Sequence, residues 1–303
     1  MAKNLPKLSL SPSFNSHSGS ILVASIWVLA FFIILTAGLY KIVSAQVSLT
    51  NRFRQIAVGQ HLARSACVYA IAKRKEEKED KTKVVLYDTL YGLRRKKTIT
   101  LGNGEADYSL IDEESKININ IASGEIIKAL LKITANVSED LAQELAEGIV
   151  NYRKEHVFLV KEELLDVEGI TEEMFDACKD YIGVYTNGEI NINTASPVVL
   201  IVLGLEEDLV EIIKDFRLGP DGKEDTEDDG YFENTGEIIN KLRLFKMLSG
   251  KQESELISLI TNSVVVKSSN FSLAIETKFL GKPGMNYTVV LDSKNKIRQW
   301  NEY

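Results

Sequence analysis

The chain has 303 residues, 45% of them hydrophobic, enough to bury a sizeable core and to suggest about two domains. A formal charge of −7 repels phosphate backbones and argues against a general nucleic-acid binder. The two cysteines, Cys67 and Cys178, have no CxxC context; two separate buried thiols are expected, with a disulfide in an oxidising compartment as the alternative.

Residues 1–19 are polar, with Lys3 and Lys7 and no acid, and Ile21 to Leu39 is then almost unbrokenly apolar, interrupted by Ser25, Thr36 and Gly38. As a helix this run of about 19 residues reaches about 28 Å, close to the thickness of a bilayer's hydrocarbon. It exceeds an ordinary signal-peptide core, although Val43-Ser44-Ala45 imitates a signal-peptidase site and leaves a soluble product starting at Gln46 as the alternative. Basic residues flank both ends, Lys3 and Lys7 before, Lys41, Arg52 and Arg54 after, so charge alone does not set the orientation.

The junction Gly19-Ser20-Ile21-Leu22-Val23-Ala24 resembles the type III signal of prepilins. That resemblance implies cleavage after Gly19 by a prepilin peptidase, methylation of the new amine at Ser20, and a single-pass inner-membrane subunit with a cytoplasmic N-terminus and a periplasmic C-terminal domain. Most members of the class carry a glutamate five residues after the cut. Here that position is Ala24. A carboxylate in an apolar helix is costly unless paired, and in such filaments it is thought to meet a neighbour's terminal amine. Its absence is characteristic of K-type minor pseudopilins.

After the span, apolar residues recur at helical spacing, from Val47, Leu49 and Phe53 to Leu62, Ala66 and Ala70, predicting one amphipathic helix to about Arg74. The charged run Lys73–Asp80 reads as a solvated helix end or loop. Strands are expected at Val84–Tyr87, Thr98–Leu101 and Tyr108–Ile111, with a turn at Gly102-Asn103-Gly104. They resume only near the end, at Phe271–Thr277, Tyr287–Leu291 and Ile297–Trp300, with turns expected at Lys282-Pro283-Gly284 and Ser293-Lys294-Asn295.

The region between contains a repeat. Lys116-Ile117-Asn118-Ile119-Asn120-Ile121-Ala122-Ser123 returns as Glu189-Ile190-Asn191-Ile192-Asn193-Thr194-Ala195-Ser196. Ser138 is a suitable N-cap, acids follow it, and Arg153 and Lys154 close the helix, matching its dipole. Leu141, Leu145, Ile149 and Tyr152 fall on one face of it. Gly169 suits a tight turn before a Thr171 cap, and Pro197 suits a first helical position. Asn118, Asn120, Asn191 and Asn193 are read as structural amides that tie loops to helix ends.

These units resemble the helix-hairpin-helix family, including small competence-type DNA receptors. DNA-binding hairpins offer backbone N–H groups to phosphate, usually beside cations, whereas this turn carries Glu168, Glu172 and Glu173. No nucleic-acid partner is therefore expected. The stretch from Gly219 to Gly230 gathers six acids (Asp221, Glu224, Asp225, Glu227, Asp228 and Asp229), which repel one another unless a cation lies among them. Such hard oxygens suit Ca²⁺, although the EF-hand order is absent. It resembles the acidic calcium loop of K-type pseudopilins, which points to Asp221, Asp225, Asp228 and Asp229 as ligands, with Glu224 and the carbonyl of Thr226.

His17, His61 and His156 lack metal or triad spacing, and no phosphate-binding or nucleophile motif is present, so an enzyme is not expected. Together these features predict an α+β pilin-like fold, a long N-terminal helix with an antiparallel sheet, interrupted by an all-α insert of duplicated helix-hairpin-helix-like units. The expected segments are a leader at 1–19, a span at 20–40, pilin-like parts at 41–112 and 266–303, and the insert at 113–265. The whole order resembles the type II secretion K-type minor pseudopilins, implying partners of the I and J types, a filament-tip position and a role in protein export. A type IV pilus minor pilin and a periplasmic DNA receptor are the alternatives.

Overall fold

The computed structural model describes residues 17–79, 96–223, 226 and 228–303, and the chain divides into a unit Met1–Ala57 and a unit Val58–Tyr303. Helix α1 (His17–Glu79) contains no proline. In the first unit its apolar side chains, among them Trp27, Phe31 and Ile34, are exposed. The hydroxyls of Ser25 and Thr36 donate back to the carbonyls of Ile21 and Phe32 (2.5 and 2.7 Å), so neither presents an unsatisfied polar group. The helix passes the expected stop near Arg74 and is helical as far as Glu79, where the described residues break off, in keeping with the strong helix propensity of the Lys/Arg/Glu run. The expected strand Val84–Tyr87 lies outside the described residues.

In the second unit, five antiparallel strands run in the order β1-β2-β7-β8-β9: β1 (Lys97–Leu101), β2 (Gly104–Asp112), β7 (Phe271–Phe279), β8 (Lys282–Leu291) and β9 (Ile297–Glu302). Alternate residues of the three central strands, Ala106, Tyr108, Leu110, Leu273, Ile275, Tyr287 and Val289, form one buried face. The part of α1 that covers them turns Leu62, Ala63, Ala66, Cys67 and Ala70 inward. Small residues bring the helix close: a Cβ on Gly104 would stand 2.6 Å from Leu62 Cδ1.

The β7–β8 turn corrects the expectation at Lys282-Pro283-Gly284, which forms the start of β8. Phe279 pairs with Lys282 across a two-residue loop of Leu280 (φ 52°) and Gly281 (φ 71°). Two positive φ angles are what a tight hairpin needs to match strand twist, and leucine seldom supplies one. The β8–β9 turn falls where expected, with the Asp292 carboxylate accepting from the N–H groups of Lys294 and Lys296 (2.9 and 2.8 Å).

Between β2 and β7 the chain folds two copies of one unit around a second core. The first contains β3 (Ile117–Asn118), α2 (Gly124–Ala135), α3 (Glu139–Glu155), α4 (Glu172–Cys178) and β4 (Ile182–Gly183). The second contains β5 (Ile190–Asn191), α5 (Pro197–Val202), α6 (Glu207–Leu218), α7 (Ile238–Phe245), α8 (Gly250–Asn262) and β6 (Val264–Val265). Each copy closes by pairing its first strand in parallel with its last, β3 with β4 and β5 with β6. These two-residue bridges tie together the ends of each helical copy. On α3 the buried residues are Ala142, Leu145, Ala146 and Ile149, so Leu145 and Ile149 of the expected face enter the core, while Leu141 is exposed and Tyr152 is partly buried. Ser138, Thr171 and Ser196 cap α3, α4 and α5 as their sequence positions require. Cys178 lies in this core and Cys67 in the other; both are free, with burial pushing each thiol up to about 11.

The asparagines hold each copy in the same way. Asn120 and Phe158 exchange amide-to-backbone bonds (both 2.9 Å), as do Asn193 and Phe232 (both 2.9 Å). Asn193 is fully buried and also donates to Val266 O (3.0 Å), whereas Asn120 is only part-buried. Replacing a buried amide leaves several backbone groups unpaired, at about 1–3 kcal/mol each. Asn193→Ala should therefore lower unfolding stability by about 3 kcal/mol or more and Asn120→Ala by clearly less, read as the difference between their denaturant midpoints.

Candidate functional site

The second copy departs from the first after its second helix. In copy one Arg153, near the end of α3, donates to the carbonyls of Ile119 and Ala122 (both 2.7 Å), and the chain turns at once to Phe158, which stacks on Tyr152. In copy two Arg217 makes the equivalent bond to Ala195 O (2.6 Å) and Phe232 stacks on Phe216, but the stretch 219–230 intervenes. The duplicated framework therefore braces both described ends of the acidic loop.

Glycines close that stem. Gly219 has φ 63°, and a Cβ there would meet the Asp228 carbonyl oxygen at 2.3 Å. Gly230 donates its N–H to Phe216 O (3.1 Å), and a Cβ on it would come within 2.2 Å of the same oxygen. Inside the loop the Thr226 hydroxyl lies 2.8 Å from Asp228 Oδ1, 3.0 Å from Asp229 Oδ1 and 3.3 Å from Asp221 Oδ1. One hydroxyl proton satisfies one of three carboxylates. The Asp221 N–H donates to Asp228 Oδ2 (3.0 Å). These bonds, that from Thr226 foremost, hold the Asp228 carboxyl below its ordinary value. Glu224 and Asp225 lie outside the described residues, as does Glu227. The donor set is hard oxygen throughout and fits calcium chemistry, while no group of three or more His, Cys, Asp or Glu among the described residues forms a metal-holding cluster.

The two hairpins also differ in charge. The first presents exposed Glu162, Asp166, Glu168, Glu172 and Glu173 around Gly169 (φ 88°). The second, between α7 and α8, carries Arg243, Lys246 and Lys251 and leaves Leu244 89% and Met247 92% exposed. The sequence signals only the first, through its run of acids. Two of these cations are paired, Arg243 with Glu253 (2.5 Å) and Lys251 with Glu206, so the second hairpin has little free positive charge. At the other end of the chain, Gly19 and Ser20 both lie within α1, and Ala24 is exposed on it. Ser20–Lys73 is the one candidate span found among the described residues, long and apolar enough to cross a membrane.

A covering helix, a five-stranded antiparallel sheet and a helical insert define a pilin-like α+β protein. The family model for the helix-hairpin-helix motif matches residues 112–183, the first copy. A solved structure shares the fold over most of the chain: GspK in the GspK–GspI–GspJ complex of the enterotoxigenic Escherichia coli type 2 secretion system. The likeness has a TM-score of 0.59 at 14% identity and covers 85% of this chain and 99% of that one. That neighbour is a component of a secretion-system complex. No curated protein matches the sequence.

Proposed function

We propose that this chain is a minor pseudopilin that caps the tip of a secretion pseudopilus, assembling with I- and J-type minor pseudopilins to start the filament and support protein export. The fold likeness carries the reading, because it spans nearly all of a protein solved in complex with GspI and GspJ. The apolar part of α1 would remain in the inner membrane, with its N-terminus cytoplasmic, after prepilin peptidase cuts between Gly19 and Ser20 and the amine of Ser20 is methylated. With Ala24 in place of a carboxylate, this subunit has no charge at that position to pair with the terminal amine of a neighbour above it. The insert adds bulk on the same side of the reading, obstructing another subunit.

The acidic loop supports a calcium-dependent shape. Asp221, Asp228 and Asp229 would hold the ion, with Glu224, Asp225 and the Thr226 carbonyl as further ligands. Its charge would offset repulsion among the loop carboxylates and fix their arrangement. The exposed acids of the first hairpin oppose the DNA-receptor alternative.

Expression of the full chain in membranes with its prepilin peptidase and I- and J-type partners tests the assembly. The expected product starts at a methylated Ser20 and co-purifies with both partners. A start at Gln46, or a low-salt gel shift with duplex DNA in the absence of partners, would point to another job. For the loop, excess calcium at about 100 times the dissociation constant should stabilise the wild-type chain by about 2.7 kcal/mol over a chelator control. The double variant Asp228→Asn/Asp229→Asn should lose most of that gain; equal melting with and without calcium in wild type would remove the ion from the account.

A further inference from the structure

The chain crosses between sheet and insert twice, and both crossings meet at three consecutive acids. Asp112, Glu113 and Glu114 are each only 3% exposed. Asp112 ends β2 and accepts from Asn191 Nδ2 (3.0 Å) and from the hydroxyls of Thr194 and Ser268. Glu113 takes the Lys116 ammonium (2.8 Å) and the Ser272 hydroxyl, while its own N–H reaches Asn270 O (3.1 Å). Glu114 grips the returning chain, accepting from Ser269 N–H (3.3 Å), Asn270 N–H (3.1 Å) and Asn270 Nδ2 (2.8 Å).

Charge around this clasp is unbalanced. Lys116 pairs with Glu113. The next cation, Lys161 of the first hairpin, donates to Lys179 O (2.9 Å), and burial foremost, then Lys116, holds its ammonium below the ordinary range. The Tyr185 phenol is pushed up by burial and then by Glu113. The returning chain contributes Ser268, Ser269, Asn270 and Ser272 at the contact, and the second copy contributes Asn191 and Thr194; none of these is charged. Among the described residues, no ion pair is formed by Asp112 or Glu114, two residues apart and out of water. Like charges so placed are costly, and one proton relieves the pair.

We propose that Glu114 carries a proton while this clasp is closed, and that its ionisation loosens the returning chain, so that docking of the insert on the sheet responds to pH. Burial first, and the Asp112 charge second, hold the Glu114 carboxyl up at about 7 against an ordinary 4.5, outweighing the bonds from Asn270 and Ser269, which favour the ionised form. The closed form then binds the proton more tightly than an open, solvated one. Its advantage is full below the ordinary value and is lost as the pH rises through about 7.

Hydrogen exchange on the full chain in detergent micelles tests this. After correction for intrinsic exchange, amides at 112–116 and 268–272 should lose roughly tenfold in protection between about pH 6 and pH 8. Glu114→Gln, neutral at every pH, should flatten that dependence, and Asp112→Asn should move its midpoint to lower pH. Protection independent of pH in wild type, or an unchanged dependence in Glu114→Gln, would overturn the proposal. Should either variant fail to fold, infrared titration of wild-type carboxyl groups decides: a buried acid ionising near neutrality supports the latch, and complete ionisation by about pH 5 overturns it.

Discussion

The second unit depends on closure of the chain at one point. Asp112, the last residue of β2, is the register partner of Phe271, the first of β7, so the whole insert leaves and returns across a single rung of the sheet. Such a closure must be held against the entropy of the intervening chain, which grows only slowly with length. Once the rung is fixed, an insert of any size can be carried without disturbing strand order, provided it has its own core. The two cores meet that condition: one lies between α1 and the sheet, and the other is built wholly from residues between Ile117 and Val266.

Duplication explains how that second core is organised. Each copy pairs its first strand with its last and uses an Asn-x-Asn step to bind the Phe that follows the second helix. The first asparagine of each step accepts from the N–H of the second (2.9 and 3.0 Å) and donates outward. In copy one that outward bond goes to Thr186 O, within the link between copies. In copy two it goes to Asp112 and Ser268, at the clasp. The same local amide chemistry thus serves first to join the copies and then to join the insert to the sheet. The constancy of this frame frees the stretch after α6 to diverge into an acidic loop.

Much of this was legible in the sequence. The repeated asparagines, the Ser and Thr caps and the β-rich ends are local signals, and local hydrogen bonding produces what they predict. The errors share a different cause. Leu280 takes a positive φ because the register of β7 against β8 leaves it two residues in which to turn, and a leucine advertises no such turn. Leu141 has the right spacing for a buried stripe, yet packing of α2 on α3 selects Ala142 and Ala146 instead. Least legible was the burial of Asp112, Glu113 and Glu114, since acids in a row read as surface until a returning strand supplies their donors. The acidic loop could be found by composition alone, but which of its carboxylates approach Thr226 depends on the fold of the stem.

The two ends of the chain bear on its role through one physical asymmetry. Between Ser20 and Tyr40 there is no charged side chain, so the only strong charge this helix would offer in a bilayer after cleavage at Gly19 is its own terminal amine. An amine without a matching internal carboxylate can be received by a neighbour, but between Ser20 and Tyr40 no carboxylate can receive the amine of the next. On the proposed reading, addition therefore has a direction, and the subunit lacking the acid belongs where no further subunit follows. On that reading a large insert is unconstrained by packing of a further subunit. That is the position at which a duplicated domain, a divergent loop and a proton-sensitive attachment can be carried without interrupting a helical polymer.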